Sequence, residues 1–159
     1  MERIDEMAGL LKKLAELCDT GFALAIHIRY TRPSLFFQTY AQEWIDYYSE
    51  NGLMLYDPVV KWGLLNTGMV AWSELEGDDP RDVLGQSAKH GLHNGIALGI
   101  GPATSRTIAG LTRSGPAFSE EEIAQMVALV TKIHTLTESL VGTETPEMDE
   151  MRKLQLSEY

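Results

Sequence analysis

In the stretch EWIDYYSENGLMLYDPVVKWG, Trp44 and Tyr48 stand four positions apart, so on a helix they share one face. Asp57 follows nine residues later, and Trp72 lies beyond it in MVAWS. A core accepts the aromatic rings readily. A carboxylate among them costs several kcal/mol to bury, on the order of a lost ion pair, unless a donor satisfies it. Each residue also has an ordinary role: Trp44, Tyr48 and Trp72 as packing, and Asp57-Pro58 as an N-cap followed by proline at the first helical position.

Other chemistry is less well supplied. Gly95, Gly99 and Gly101 in GIALGIG suggest a phosphate loop, but that loop must open a helix, and here Pro102 and a second β-like run follow. They read as hairpin glycines. Among His27, His90, His93 and His134, only His90 and His93 are close in sequence, and the spacing does not match a zinc site. Neither a GxSxG elbow nor a recognisable Cys/His nucleophile motif is present. No metal or cofactor is expected, and no enzymatic activity.

The elements that must carry these residues are legible from periodicity. Ile4, Met7, Leu10, Leu11, Leu14 and Leu17 define one face of an amphipathic helix. GFALAIHIRY (Gly21 to Tyr30) reads as a buried strand, Thr31 to Ser34 as a turn, and LFFQT as the start of a partner strand. Tyr40 to Glu50 reads as a helix ended by Asn51-Gly52, with a short helix beginning at Asp57-Pro58. MVAWS is extended, and a further helix starts near Asp78 or Asp79 and stops before Gly91. GIALGIGPA and RTIAGLTRS form a hairpin. Ser119, followed by three glutamates, caps a long helix to about Val141. GTETPEMDEM is polar and reads as a linker. The order implies one domain of the α/β (α+β) class, with an antiparallel sheet covered by helices.

Composition narrows the partners. The 159 residues are 44% hydrophobic and 23% charged, as in a globular domain with a real core. A net charge of −10 and scattered basic residues argue against nucleic-acid binding by this segment itself. No run approaches a membrane span, and the start lacks the pattern of a secretory signal. The single Cys18 excludes an internal disulfide and suits a reducing cytoplasm.

Taken together, W-x3-Y-x8-DPVV-x11-AWS, with Gly91 and Gly95 in GLHNGIALGI, resembles the signature of the autoinducer-binding domain of LuxR-type quorum-sensing regulators. The resemblance implies an α-β-α sandwich with a central antiparallel sheet and a ligand pocket against one helical layer. It implies a domain over 1–141, with 142–159 leading towards a C-terminal helix-turn-helix domain that binds DNA and is absent here. The implied ligand is an N-acyl homoserine lactone. Trp44 would donate to the lactone carbonyl, Asp57 would accept the amide N–H, Tyr48 would donate to the amide carbonyl, and Trp72 would pack on the ring. Tyr40 would close part of the acyl pocket, and Gly91 and Gly95 would be structural. Wall candidates are Leu53, Leu55, Tyr56, Val60, Leu65, Ile26, Phe36 and Ile108. Ligand-coupled folding and a homodimer are expected. An aryl or non-lactone signal, a short form acting by inactive heterodimers, and an amide hydrolase remain as alternatives.

Overall fold

The computed structural model describes residues 2–154. Leu156-Ser157-Glu158, which resembles the opening of a helix-turn-helix domain, lies outside them.

The chain begins with α1 (Glu2–Leu17), whose Met7, Leu10, Leu11 and Leu14 are buried along the expected face. Then come β1 (Gly21–Arg29) and β2 (Arg32–Gln38). The strand β2 starts earlier than expected and includes Pro33, which is tolerated because β2 is an edge of the sheet. Next are α2 (Gln42–Glu50), a 3-10 turn (Leu53–Tyr56), α3 (Pro58–Leu65), β3 (Gly68–Ala71), a 3-10 segment (Trp72–Asp78) and α4 (Val83–Lys89). The hairpin of β4 (Ile96–Ile100) and β5 (Arg106–Thr112) leads to α5 (Glu120–Thr137). Ser119 caps α5 by accepting from the Glu122 amide, while Glu122 accepts from the Ser119 amide.

The five strands form one antiparallel sheet in the order β2-β1-β5-β4-β3. Its two faces differ sharply. Phe22, Leu24, Ile26, Leu35, Phe37, Ile96, Leu98 and Leu111 point to one side and join α1 and α5 in the main core. At roughly 1.5–3 kcal/mol for each large side chain removed from water, this face supplies most of the fold's stability. The other face is built from small residues. The register aligns Gln38, Ala23, Gly110, Ala97 and Val70 in one row, and Phe36, Ala25, Ile108, Gly99 and Gly68 in the next. Over this face lie α2, α3 and α4, with α3 packed on β5 and β4. The result is the α-β-α sandwich.

Two further features depart from the sequence reading. The polar stretch expected to be a linker contains α6 (Pro146–Arg152), capped by Thr145. It packs on α1 and β2 through Met148 and Met151, both buried, so two methionines suffice to dock a short polar helix. Ile26 is not on the pocket side. Strand alternation sends it, fully buried, into the α1–α5 core, and the small Ala25 faces the helical layer instead.

Buried polar groups tie the layers together. The Arg106 guanidinium is buried and donates to the carbonyls of Gly63 (2.9 Å), Asn66 (2.7 Å) and Gly101 (2.7 Å). It thereby caps the C-terminus of α3, where a cation is favoured. A register shift in β1 between Ala25 and Ile28 lets His27 turn inward with φ 49°. Its Nε2–H donates to the His134 carbonyl at 2.7 Å, and the two imidazoles stack with centroids 4.0 Å apart. Cys18 packs beside Met126, and burial pushes its thiol up to about 12, so it is a small hydrophobe and an unreactive thiol.

Candidate functional site

The site forms where the second helical layer meets the small-residue face. Trp44, on α2, is buried with Leu53, Val83 and Leu92, and Tyr40, Tyr47, Tyr48 and Trp72 pack around that group. Its ring centroid lies 5.7 Å from that of Tyr48 and 5.1 Å from that of His90 at the end of α4. Tyr47 shares the cluster, and its hydroxyl donates to the Gln86 side chain.

Asp57 takes the N-cap role read from the sequence and in addition holds Tyr48. One carboxylate oxygen accepts from the Val59 amide at 2.8 Å, capping α3, and the other accepts from the Tyr48 hydroxyl at 2.7 Å. Burial raises its pKa, the two hydrogen bonds oppose that rise, and the nearby Asp79 carboxylate reinforces it. Burial and the Asp57 charge also push the Tyr48 phenol far up, so it stays a hydroxyl donor. Asp79 is itself held at the start of α4 by accepting from the amides of Val83 and Leu84.

The inner wall is set by glycines. A Cβ on Gly95 would lie 2.1 Å from the Trp72 ring, so only glycine lets that indole lie flat against the strand. A Cβ on Gly110 would sit 3.3 Å from the Tyr40 hydroxyl, 3.4 Å from Trp72 Cζ2 and 3.7 Å from a Val59 methyl. Side chains from the β2–α2 connection, the 3-10 segment and α3 thus converge on one point above the sheet. The Tyr40 hydroxyl donates to the Gly110 carbonyl at 3.1 Å. The Trp72 indole N–H is buried and has no partner among the described residues. Ala23 and Ala25, on the same face as Phe36, are only partly covered.

The expected residues therefore divide. Trp44, Tyr48, Asp57, Trp72 and Tyr40 come together, as does Leu53. Ile108 is buried on the pocket face against Gly63, and Phe36 lies on the same face, half exposed. Val60 is half-buried, whereas its neighbour Val59 takes the inward position. Tyr56 lies at the surface with the Arg81 guanidinium 4.1 Å over its ring, and Leu55 and Leu65 are exposed, so none of these three is an inner wall. Sequence reasoning missed the floor of Ala23, Ala25, Ala97, Gly99 and Gly110, although large and small residues alternate visibly in FALAI and IALGI. A cleft of about 380 Å³ runs between α4 and the start of α5, touching the aromatic cluster at Trp72 and Leu92. Among the described residues no group of three or more His, Cys, Asp or Glu side chains could hold a metal ion, and no helix is long and apolar enough to cross a membrane.

A family model for the autoinducer binding domain matches residues 8–138. The chain belongs to that family. This autoinducer-binding domain shares its fold with Escherichia coli SdiA, at a TM-score of 0.69 and 23% identity, covering 94% of this chain and 67% of SdiA. A second SdiA structure, in complex with octanoyl-rac-glycerol, matches at a TM-score of 0.66 and 19% identity, covering 88% of this chain and 61% of that one. CepR2 from Burkholderia cenocepacia, an N-acylhomoserine lactone dependent LuxR family transcription factor, matches at 0.56 and 17%, covering 89% of this chain and 94% of its own. The chain thus spans about two thirds of SdiA. A search of curated protein sequences returned no match. The family comprises signal-binding domains of LuxR-type regulators and is not an enzyme family.

Proposed function

We propose that this autoinducer-binding domain senses an N-acyl homoserine lactone held between the small-residue face of the sheet and the α2–α4 layer. The observation that carries the reading is the pairing of a floor of alanine and glycine with a roof of Trp44, Tyr40, Asp57 and Trp72. A face whose opposite side is packed with Phe, Leu and Ile has no need of such small residues for stability alone.

In this reading Asp57 accepts the ligand's amide N–H through lone pairs left over after Tyr48 and Val59. Trp44 donates its indole N–H to the lactone carbonyl. The acyl chain runs over Ala25 and Ile108 towards Phe36. Hydrogen bonds to a charged acceptor contribute about 1.5–3 kcal/mol and neutral ones about 1. Each buried CH₂ adds roughly 0.8 kcal/mol. A polar head with several methylenes therefore reaches the roughly 8.2 kcal/mol of micromolar binding. The ligand completes the fold, favours a homodimer, and acts on DNA through a helix-turn-helix domain outside this chain, in the cytoplasm. The domain binds its ligand and leaves it intact.

The SdiA complex with octanoyl-rac-glycerol motivates a second reading, in which an acyl ester supplies a hydroxyl to Asp57 where the lactone supplies an amide. Expression in the presence of a mixture of acyl homoserine lactones and acyl glycerols, followed by mass spectrometry of the purified domain, separates the two. An intact lactone supports the first, and an acyl glycerol supports the second. Hydrolysed products point to an enzyme.

A further inference from the structure

Away from the candidate site, where α5 meets the sheet, two histidines are buried against each other. The imidazoles of His27 and His134 stack with centroids 4.0 Å apart and planes inclined by 28°. Their hydrogen bonds fix where the protons sit. The His134 carbonyl can only accept, so His27 carries its proton on Nε2, 2.7 Å away, and its Nδ1 accepts from the Ser105 hydroxyl at 2.7 Å. The Thr107 hydroxyl oxygen accepts from the His27 amide at 3.1 Å and gives its own proton to His134 Nδ1 at 2.7 Å. Both rings are thereby neutral and satisfied. The same bonds hold His27 at φ 49°, in the left-handed region that residues other than glycine seldom enter.

We infer that this stack is an acid-sensitive lock: neutral, it fastens the β1 bulge and the end of α5 to β5, and the entry of a proton opens it and frees α5 from the sheet. The inference does not depend on the receptor reading. A proton on His134 Nδ1 displaces the one from Thr107, whose hydroxyl is buried and has no third partner among the described residues. A proton on His27 Nδ1 turns the Ser105 hydroxyl away. Either way a charge enters the interior 4.0 Å from a second titratable ring. Little around it offsets that cost. Strands β1, β2 and β5 contain Arg29, Arg32 and Arg106 and no carboxylate. Arg106 also reaches the Gly101 carbonyl, and Gly101 abuts the His134 ring. On α5 and the turn after it Lys132 and Glu138 are exposed, and only Glu138 favours the charged form of His134. Burial, reinforced by the His27 ring, holds His134 below its ordinary 6.5. The unfolded chain therefore takes up a proton that the folded domain resists. The lock contributes fully above 6.5, and its contribution is lost as pH falls from there towards the folded value.

The test is urea denaturation of the wild-type domain and of His134→Asn, without ligand, at steps from about pH 5 to about pH 8. The asparagine puts an amide oxygen where Nδ1 stood, keeps an acceptor for Thr107, and cannot be charged. The two stability curves should run parallel above about pH 7. Below it the wild-type folding constant should fall relative to that of His134→Asn, by up to about tenfold per pH unit. His90, His93 and Asp57 are common to both proteins and drop out of the difference. Curves that stay parallel throughout overturn the lock. Amide hydrogen exchange of the wild type at about pH 5.5, referenced to unstructured-peptide rates, tests where it opens. Protection should be lost along α5 and kept in α2, α3 and α4, and an equal loss in all of them overturns the release of α5. Should His134→Asn not fold, the Cε1–H resonance of His134 in the wild-type domain decides. A titration midpoint below 6.5 supports the lock, and one at or above that value overturns it.

Discussion

Substituting alanine for Gly110 should separate stability from binding, because the new methyl would stand where the proposed ligand crosses the sheet. The added Cβ meets Tyr40, Trp72 and Val59 at 3.3, 3.4 and 3.7 Å. The first two distances are tight by a few tenths of an ångström, a shift that small side-chain movements of Tyr40 and Trp72 would absorb. Removing a glycine from a strand contributes about 0.5–1 kcal/mol in the favourable direction. The empty Gly110→Ala domain should therefore match the wild type within about 1 kcal/mol, or roughly 2–4 °C in Tm. With ligand present the same methyl occupies the space over the floor. Overpacking of this kind costs about 1–3 kcal/mol, a roughly 5- to 150-fold rise in Kd. Urea denaturation of the empty protein gives the first quantity, and calorimetric titration with an acyl homoserine lactone gives the second. Two results would refute the reasoning. An alanine variant that binds as tightly as the wild type means the ligand does not lie over Gly110. An empty variant that unfolds means the region is sealed core.

Asp57→Asn keeps an acceptor for the Val59 amide but removes the buried charge. Burial raises the folded-state pKa above the ordinary 3.8, so this group favours the fold below that value and the contribution is lost as pH rises through the folded pKa. The Asn variant without ligand should be at least as stable as the wild type near neutral pH, should lack this part of the pH dependence, and should bind signal at least tenfold more weakly; denaturation across pH and calorimetry read these out. Arg106→Leu should cost about 1–3 kcal/mol for each carbonyl left unpaired among Gly63, Asn66 and Gly101, measured by urea melts. Met151→Ala should cost about 2–5 kcal/mol if α6 is an integral part of the domain; a variant with unchanged stability would return that segment to linker status.

Much of the fold was legible because its signals are local. Ser119 and Glu122 cap α5, Asp57-Pro58 opens α3, and the two glycine-rich strands pair as a hairpin. The candidate site was legible as a set of residue types at fixed spacing, and Trp44, Tyr48, Asp57 and Trp72 do come together in space. What escaped depended on direction or on distant partners. Ile26 and Ala25 are adjacent in sequence, and only the register shows which faces the helices. Leu55 and Leu65 look like wall residues by type, but their turn and helix end carry them outward. Nothing near Arg106 in sequence marks it as buried; its partners are the carbonyls at the distant end of α3. The docking of α6 rests on two methionines in a polar stretch, below the threshold of any periodic pattern.

The central claim, that a guest molecule completes the polar groups above the small-residue floor, is tested most directly by the melting of the purified domain against acyl homoserine lactones of short, medium and long chain. At a concentration 1,000 times Kd the right ligand should stabilise the fold by about 4.1 kcal/mol, raising Tm by roughly 8–16 °C. A melting curve that no member of the series moves would contradict the account.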